Sequence, residues 1–480
     1  MSELPRGWVE TKLPNFAELI MGQSPASSDC NDVGAGIPFF QGKAEFQKLY
    51  PEIRKFCTKP KKTAQKEDVL FSVRAPVGPT NLASEDCAIG RGLSAIRAYE
   101  QADRYLLQYF RSIEPWMSQQ GTGSTFKAVS GQFLKELDIK VAPLAEQKRI
   151  VEKLDEALAQ VGTIKARLDS IPNLLKRFRQ SVLASAVSGK LTEEWRGDHN
   201  EPPLNLEKIQ DGLFEADITK GNFGKKNARA SFISEDEAKN YPSSYPLVRV
   251  GGVVGCIVPN RDKPKSFSGG TSWILTPDLK EQSISLASQN IEQGLSTEEI
   301  EKYNARVIPK NSVIMTCVGR LGLSAVNDFE CVINQQLHAF LSNEFVHSSY
   351  LAFVIRAYEK YFYGAATSTT VQYLNKTSCN SMPLPLPSFT EQKEIVRLVD
   401  QYFAFANTIE AQVKKAQVRV DNLTQSILAK AFRGELVPQD PNDESADKLL
   451  ERIAKAREEA EALAKAAKKA EVAKKRAAKA

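Results

Sequence analysis

The stretch EQKRIVEKLDEALAQVGTIKARLDSIPNLLKRFRQSVLASAVSGKL, from Glu146 to Leu191, decides the fold because it occurs twice. The second copy, EQKEIVRLVDQYFAFANTIEAQVKKAQVRVDNLTQSILAKAFRGEL, lies 245 residues further on, from Glu391 to Leu436. The two copies align without a gap and share 17 of 46 positions. This repeat predicts approximate two-fold internal symmetry and two similar surfaces for two copies of a partner.

Both copies carry apolar residues at alternating spacings of three and four, which is typical of a coiled-coil seam. In the second copy the seam covers 33 residues, or about 50 Å of helix. Packing of each helix in a separate core is the alternative, but the repeat favours pairing, and antiparallel pairing would create a pseudo-dyad. The residues expected to pair the helices are Leu154, Val161, Leu168, Leu175, Val182, Ile395, Val399, Tyr402, Ile409, Val413, Val420, Leu423 and Ile427.

Local signals mark the ends of these helices. Pro172 predicts a kink or a restart of the first helix, with Ser170 available as a new N-cap. Both copies end in a glycine shortly before a leucine, SGKL and RGEL, as expected for a left-handed C-cap.

Each repeat follows a globular half in which short β-branched runs alternate with turn residues and one helix. The predicted fold class is α+β, with two mixed α/β domains joined by two long helices that pair as an antiparallel coiled coil. The predicted boundaries are 1–143 for the first domain, 144–196 for the first helix, 197–240 for a polar linker, 241–387 for the second domain, 388–437 for the second helix and 438–480 for a basic Ala/Lys-rich helical tail.

The tail contains no aromatic residue from Ser445 onward, and seven of its last 17 residues are Lys or Arg. This composition favours a solvated helix that frays at its end. Nonspecific contact with phosphates is the alternative.

Composition excludes several classes of protein. A 42% hydrophobic content and 25% charge are typical of a globular protein, and no apolar run reaches the roughly 20 residues needed to span a bilayer. Seven scattered cysteines without a CxxC pair favour reduced thiols over a disulfide framework or a zinc site. We therefore expect a cytoplasmic protein without a bound metal. The net charge of +6 weakly favours a polyanionic partner.

Sequence motifs for catalysis are missing. The string from Gly36 to Gly42-Lys43-Ala44 fails as a phosphate loop because its spacing and last residue are wrong. The chain also lacks HExxH, GxSxG, a complete dinucleotide fingerprint and the [ND]PP[YF] tetrapeptide of adenine methyltransferases. Taken together, these absences predict a binding protein with no catalytic residue.

Several side chains suit contact with nucleic acid, although a solvated surface is an equally simple interpretation of each one. Loop lysines neutralise phosphates, whereas base readout needs bidentate groups, Arg for guanine and Asn or Gln for adenine. Two hydroxyl-rich loops could also approach phosphate. The candidates are Lys59, Lys61, Lys62, Arg74, Arg91, Ser124, Thr125, Lys127, Arg261, Lys263, Lys265, Arg320, Gln335, Gln336, Thr369, Thr370, Gln372 and Tyr373.

The order of these segments resembles a known family. LPRGW near the start, PLAEQKRIVEKLDEALAQV and SVLASAVSGKLTEEW around the first repeat, and EQKEIVRLVDQYFAFANTIE and SILAKAFRGEL around the second are similar to specificity subunits of type I restriction-modification systems, and within these to the type IA group. The resemblance covers essentially the whole chain.

The resemblance implies a separate role for each part of the chain and for its protein partners. Each globular half would be a target recognition domain that reads one half of a split DNA sequence in the major groove, and the paired helices would set the distance between half-sites. Two modification subunits, which carry S-adenosylmethionine and methylate adenine, and two restriction subunits, which use ATP and Mg²⁺, would be the protein partners. This chain would bind no cofactor itself. The divergence of the halves predicts an asymmetric target.

Two other functions remain possible on the sequence alone. A fused enzyme that methylates DNA by itself is disfavoured by the missing [ND]PP[YF] motif. A coiled-coil adaptor that binds only proteins would show no sequence-dependent affinity for DNA.

Overall fold

The computed structural model describes residues 4–120, 128–199, 201–202, 204–205, 209, 239, 241–260, 263–288, 291–341, 343–366 and 372–477. The chain forms two compact units. Unit 1 comprises Met1–Asp169 and Lys415–Ala480, and unit 2 comprises Ser170–Lys414. Both boundaries fall inside the repeated segment at equivalent positions, 245 residues apart. Most of the predicted linker, 197–240, lies outside the described residues.

Unit 1 contains a four-stranded sheet, a five-stranded sheet and a two-stranded sheet. Its strands are β1 (Val9–Lys12), β2 (Ala17–Met21), β3 (Cys30–Asn31), β4 (Ile37–Phe40), β5 (Phe56–Cys57), β6 (Thr63–Ala64), β7 (Val69–Ser72), β8 (Thr80–Leu82), β9 (Cys87–Ile89), β10 (Leu93–Ala98) and β11 (Asp138–Val141). Its helices before the start of unit 2 are α1 (Asp103–Gln120), α2 (Gly131–Glu136) and the first part of α3 (Leu144–Val187), and residues from Lys415 onward add two further helical segments. The sheet orders are β2-β10-β7-β8 and β3-β5-β4-β9-β6, while β1 pairs with β11.

The core of unit 1 follows from its apolar strands. Every residue of β7 is buried, as expected for a central strand covered on both faces. Helix α1 packs on this sheet, with the rings of Phe71 and Phe110 5.0 Å apart.

Unit 2 repeats this plan. Its strands are β12 (Leu247–Arg249), β13 (Gly255–Ile257), β14 (Thr271–Ile274), β15 (Ser285–Leu286), β16 (Gly294–Leu295), β17 (Val307–Ile308), β18 (Val313–Thr316), β19 (Ser324–Asn327), β20 (Cys331–Ile333), β21 (Leu337–Leu341) and β22 (Pro383–Pro385). Its helices include α4 (Glu193–Asp198), α5 (Thr297–Lys302), α6 (Ser348–Ala357), α7 (Glu359–Ala365), α8 (Lys376–Asn380) and the first part of α9 (Phe389–Ala431). The sheet orders are β13-β21-β18-β19-β15 and β16-β14-β20-β17, while β12 pairs with β22.

The registers of the two units match strand by strand. Leu93 of β10 faces Ser72 of β7, and Leu337 of β21 faces Thr316 of β18, both at a spacing of 244. The parallel pairs β4–β9 and β14–β20 also correspond, as do the isolated bridges Arg74–Ala128 and Val318–Tyr373. Each unit therefore has the same strand scaffold, and the predicted α+β class is confirmed.

The two long helices, α3 and α9, pack antiparallel. Within unit 1, Lys165 Nζ lies 2.6 Å from Asp421 Oδ1, and Gln417 Nε2 donates to Asp169 Oδ1 at 2.8 Å. Within unit 2, Arg179 bonds Glu410 Oε2 at 3.0 Å and Asn407 Oδ1 at 2.8 Å. In each case a later residue of α3 meets an earlier residue of α9, so the predicted antiparallel pair is confirmed.

Helix α3 is continuous through Pro172, so the predicted restart at Ser170 is wrong. A proline inside a helix removes one backbone hydrogen bond and strains the preceding turn, at a cost of about 3 kcal/mol. Nearby, Asp169 accepts a hydrogen bond from Gln417 of the facing helix.

The residues expected to pair the helices divide into three groups. Val161, Leu175 and Val413 are buried, and Leu168, Ile409, Val420 and Ile427 are half-buried, as a seam requires. Leu154, Val182, Ile395 and Val399 instead belong to the large cores of the globular units, because the helix ends pack on the sheets.

Two of these residues are largely accessible. Tyr402 is 40% exposed, although its ring meets Phe178 of α3 edge-on at 6.1 Å. Leu423 is 45% exposed, so a buried seam position there is wrong, while Leu428 on the same helix is buried in the core of unit 1.

The ends of the long helices are fixed in the same way in both units. Gly189 and Gly434 have φ of +75° and +73°, which confirms their expected left-handed conformation after the helix. Gly189 packs on Pro242, and Gly434 packs on Pro5. Each proline is followed three residues later by an aromatic side chain that bonds the first repeat glutamate, Trp8 to Glu146 at 3.0 Å and Tyr245 to Glu391 at 2.5 Å.

The C-terminal tail differs from expectation. Helix α10 (Ala446–Ala477) buries Ala446, Leu449 and Ile453 in the core of unit 1. Arg457 donates to Pro14 O at 2.9 Å and lies over the ring of Tyr99. The prediction of a fully solvated tail is wrong for this first part of α10, because its apolar residues recur at helical spacing and pack against unit 1.

Candidate nucleic-acid interface

In each unit a tight turn connects a strand of one sheet to a strand of the other. In unit 1 the turn joins β9 to β10, and Leu93 N donates to Gly90 O at 3.0 Å. In unit 2 the turn joins β20 to β21, and Leu337 N donates to Asn334 O at 3.1 Å. The tips of these turns are Arg91-Gly92 in unit 1 and Gln335-Gln336 in unit 2, all at positions of equivalent register.

Loops beside the unit 1 turn form a polar cleft. One cavity of about 350 Å³ is lined by Ser24, Gln41, Gly42, Lys43, Ser72, Arg74, Ala75, Arg91 and Gly92. A second cavity of about 400 Å³ shares Ser24, Gln41 and Arg91 with the first. It adds Asn31, Asp32 and Lys55 to the lining. The predicted arginines Arg74 and Arg91 are thus brought to one concave surface.

Both arginines are available for a ligand. Arg74 and Arg91 are exposed, and neither guanidinium has a hydrogen-bond or ion-pair partner among the described residues. The buried Ser72 hydroxyl donates to Arg74 O at 3.1 Å and Pro76 O at 3.0 Å, which shapes the loop that carries Arg74. A guanidinium presents a planar fork of donors that fits phosphate or the edge of guanine.

The equivalent surface of unit 2 carries amides. Thr276 Oγ1 donates to Gln336 Oε1 at 3.1 Å, and Gln335 Nε2 donates to Asn260 O at 3.2 Å. Cys317 N donates to Gln336 O at 2.9 Å, which places the following residues beside this turn. There Gly319 N donates to Gln372 O at 2.9 Å and Val318 bridges Tyr373. Four predicted residues of the second half are therefore brought together.

Arg320 is placed differently. Its Nη2 lies 3.1 Å from Glu281 Oε1, and it lines a cavity of about 270 Å³ with Lys176 and Arg179 of α3. Burial raises the pKa of the Glu281 carboxyl, but Arg320, with Lys176 and Arg356, lowers it by more, so the net shift is downward. Arg320 is thus engaged within the protein, and the structure gives no support for it as a base-reading residue.

The predicted lysines are exposed on connecting loops. Lys62 O accepts from Ile89 N at 3.0 Å, so Lys61 and Lys62 lie at the end of the sheet where the Arg91 turn begins. Lys59 precedes them on the same loop, and Lys263 and Lys265 lie on the connection between β13 and β14. Ser124, Thr125, Lys127, Arg261, Thr369 and Thr370 lie outside the described residues.

Sequence reasoning missed part of this surface. Gln41 and Lys43 lie within the string that fails as a phosphate loop, and Thr276 and Asn260 carry no distinguishing signal in the sequence. Their positions depend on long-range strand pairing, since Gly90 N donates to Phe40 O at 2.8 Å and Asn334 N donates to Ile274 O at 3.1 Å. In both units this bond places the end of a distant strand against the turn between the two sheets.

Metal-ligand clusters and thiols are two features to check in the described part of the chain. No group of His, Cys, Asp and Glu side chains in it could hold a metal ion. Burial raises the pKa of the Cys87, Cys256 and Cys317 thiols to about 12, so these groups are poor nucleophiles. No helix among the described residues has the length and apolar character required to cross a bilayer.

Comparison with known proteins relates the chain to one family. The family model for the type I restriction modification DNA specificity domain matches residues 5–173 and 246–419. The EcoDI specificity subunit of Escherichia coli is 32% identical over 71% of this chain and 73% of its own length. The EcoBI specificity subunit of Escherichia coli is 28% identical over 94% and 92%.

A solved structure shares the fold. A chain from a structural study of complex assembly and conformational transition of the type I R-M system matches with a TM-score of 0.60 and 17% identity, and covers 91% of this chain and 100% of its own length. The family model matches each unit together with the start of the long helix that follows its sheets. The chain therefore belongs to the family of type I restriction-modification specificity subunits.

Proposed function

We propose that this chain reads a bipartite, asymmetric DNA target, with unit 1 on one half-site and unit 2 on the other. The observation that carries this proposal is the pair of equivalent turns with different chemistry, arginine in unit 1 and glutamine in unit 2. Equal scaffolds that carried equal side chains would favour a palindrome instead. Lys61 and Lys62 at the turn end of the unit 1 sheet are suited to phosphate contacts.

The protein partners belong to the same proposal. Two modification subunits and two restriction subunits would assemble on the chain, and the repeated helices supply two similar surfaces, as two copies of one partner require. S-adenosylmethionine would be held by the modification subunits, and ATP and Mg²⁺ by the restriction subunits. The target adenine would leave the base stack to be methylated by the partner, so this chain would contribute recognition without catalysis.

Three narrower expectations stay predictions: the type IA group, the cytoplasmic location and the absence of a cofactor on this chain. A purified modification complex that contains the chain can be compared with modification subunits alone for methyl transfer from S-adenosylmethionine. Methyl transfer by the isolated chain would contradict a non-catalytic role.

The function is tested by mapping methylated adenines genome-wide in cells that express the chain with its modification subunit. A split motif with two unlike halves, lost when the chain is omitted, is the expected result. Methylation that persists without the chain, given verified expression, would contradict the proposal and favour a protein-only adaptor.

A further inference from the structure

The two turns, Arg91-Gly92 and Gln335-Gln336, differ in how many side chains they can present. In unit 1, a Cβ added at Gly92 would collide with the backbone carbonyl of Gln41. Arg91 is therefore the single side chain that this turn presents. In unit 2 the equivalent positions both carry side chains, Gln335 and Gln336, of which the first is half-buried and the second exposed.

The unit 1 turn has donor chemistry alone. Arg91 is exposed, lines both cavities of the cleft and has no side-chain partner among the described residues. Arg74 lines the first cavity with it. An arginine fork donates to two acceptors at once, and guanine is the base that shows two acceptors, O6 and N7, on its major-groove edge.

In the unit 2 turn, the two glutamine side chains keep one hydrogen-bond acceptor and one donor that contacts with other described residues do not use. Gln335 already donates its Nε2 to Asn260 O at 3.2 Å, so its Oε1 is the group available to a ligand. Gln336 already accepts from Thr276 at its Oε1, so its Nε2 is available. Adenine shows the complementary pair on its major-groove edge, a donor at N6 and an acceptor at N7. Guanine would place its O6, an acceptor, against the Gln335 Oε1, which is also an acceptor.

We propose that the Arg91 turn reads a guanine in one half-site and that the Gln335-Gln336 turn reads an adenine in the other. This inference rests on the proposed DNA-reading function and adds the class of base to each unit. Arg91, Gln335 and Gln336 are then specificity-determining residues. Thr276 and Asn260 are positioning residues, because each engages one group of a glutamine amide and leaves the other group for the base.

The test uses the assembled modification complex and DNA duplexes of its mapped target in which one purine at a time is replaced by its 7-deaza analogue, which lacks the N7 acceptor. We expect a loss of affinity of about tenfold at one guanine of the unit 1 half-site and one adenine of the unit 2 half-site. Purines in the spacer are the control and should change affinity less than twofold.

Variants assign each effect to its turn. In Arg91→Ala the penalty for 7-deazaguanine should disappear while the penalty for 7-deazaadenine remains, and Gln336→Ala should show the reverse. Arg91→Lys keeps the charge and can still donate to N7 but loses the fork, so it should reduce the guanine penalty without removing it. The wild-type complex alone decides the outcome if a variant fails to assemble.

The results that would contradict the inference differ from those that would contradict the proposed function. A guanine-free unit 1 half-site, or 7-deaza purines without effect on the wild-type complex, would overturn the inference while the proposed function stands. An Arg91→Ala variant that weakens binding equally on every DNA would identify a phosphate contact and also overturn it. A wild-type complex without any sequence preference would instead overturn the proposed function itself.

Discussion

At the scale of single residues, Glu391 is the point where the second repeat joins unit 2. Its Oε1 accepts from Thr192 at 2.7 Å, Arg196 at 3.0 Å and Tyr245 at 2.5 Å. We expect Glu391→Ala to lower the free energy of unfolding by about 3 kcal/mol, because it leaves the half-buried Arg196 cation without its partner. Chemical denaturation measures this change.

Glu394→Ala, three residues further on, is the matched control. Glu394 pairs with Arg397, which is largely exposed, so its loss should cost less than about 1 kcal/mol. Equal effects of the two variants would contradict the role given to Glu391.

Gly434 makes a second residue-level prediction. Its φ of +73° costs an ordinary L-residue about 1–2 kcal/mol, and a Cβ there would also collide with Pro5. Gly434→Ala should therefore lower the melting temperature, whereas Gly197→Ala, where a Cβ meets nothing within 4 Å, should not. A Gly434→Ala variant as stable as the Gly197→Ala control would show that the helix end is not fixed in this way.

Some of these residues were predictable from the sequence, but the way they come together was not. Repeat glutamates and terminal glycines were visible as identities, and Arg91 and Gln335 were chosen for their chemistry. Their assembly with Gln41 and Thr276 was not predictable, because parallel pairs such as β4–β9 join residues about 50 positions apart without a local signal.

At the scale of elements, the tail helix α10 gives the clearest departure from expectation. Its Ala-rich composition suggested a solvated helix, but Ala446, Leu449 and Ile453 follow a three-four spacing and are buried. Leu449→Ala should destabilise unit 1 by about 2–4 kcal/mol through the cavity it leaves. Leu463→Ala, at a position 72% exposed, is the control and should be nearly neutral in thermal unfolding.

An unchanged stability of Leu449→Ala would restore the sequence-based prediction of a solvated tail.

The long helices also pack in a way that their apolar pattern does not specify. Their heptad pattern was correct in period, but Ile395 and Val399 serve the core of unit 2, because one apolar face can pack on a sheet at its end and on a helix along its middle.

At the scale of the whole molecule, the repeat was detectable at once, whereas the equivalence of the globular halves was faint. The structure supplies the reason. Equivalent residues are 237 positions apart at the start of each half, as for Trp8 and Tyr245, 244 apart in the central strands and 245 apart in the helices. Loops of unequal length shift the register, so a single spacing could not align the halves.

The helices are expected to set the spacing between half-sites. Residues 163–169 of α3 face 417–423 of α9, as the Lys165–Asp421 pair shows. Deleting both heptads shortens the pair by about 10 Å, which corresponds to about three base pairs. The methylated motif should then have a shorter spacer with unchanged half-sites.

A matched control replaces the same residues with two helix-forming heptads and should keep the original spacer. Retained methylation with an unaltered spacer in the deletion variant would contradict a spacing role for the helices.

The most direct test of separate reading by the two units is an exchange of residues 17–137 for the corresponding part of another family member, followed by genome-wide mapping of methylated adenines. This exchange keeps β1, β11 and the Trp8–Glu146 bond that join unit 1 to its helix. We predict that one half-site changes while the other half-site and the spacer stay the same. A change in both half-sites, or in neither, would contradict the account.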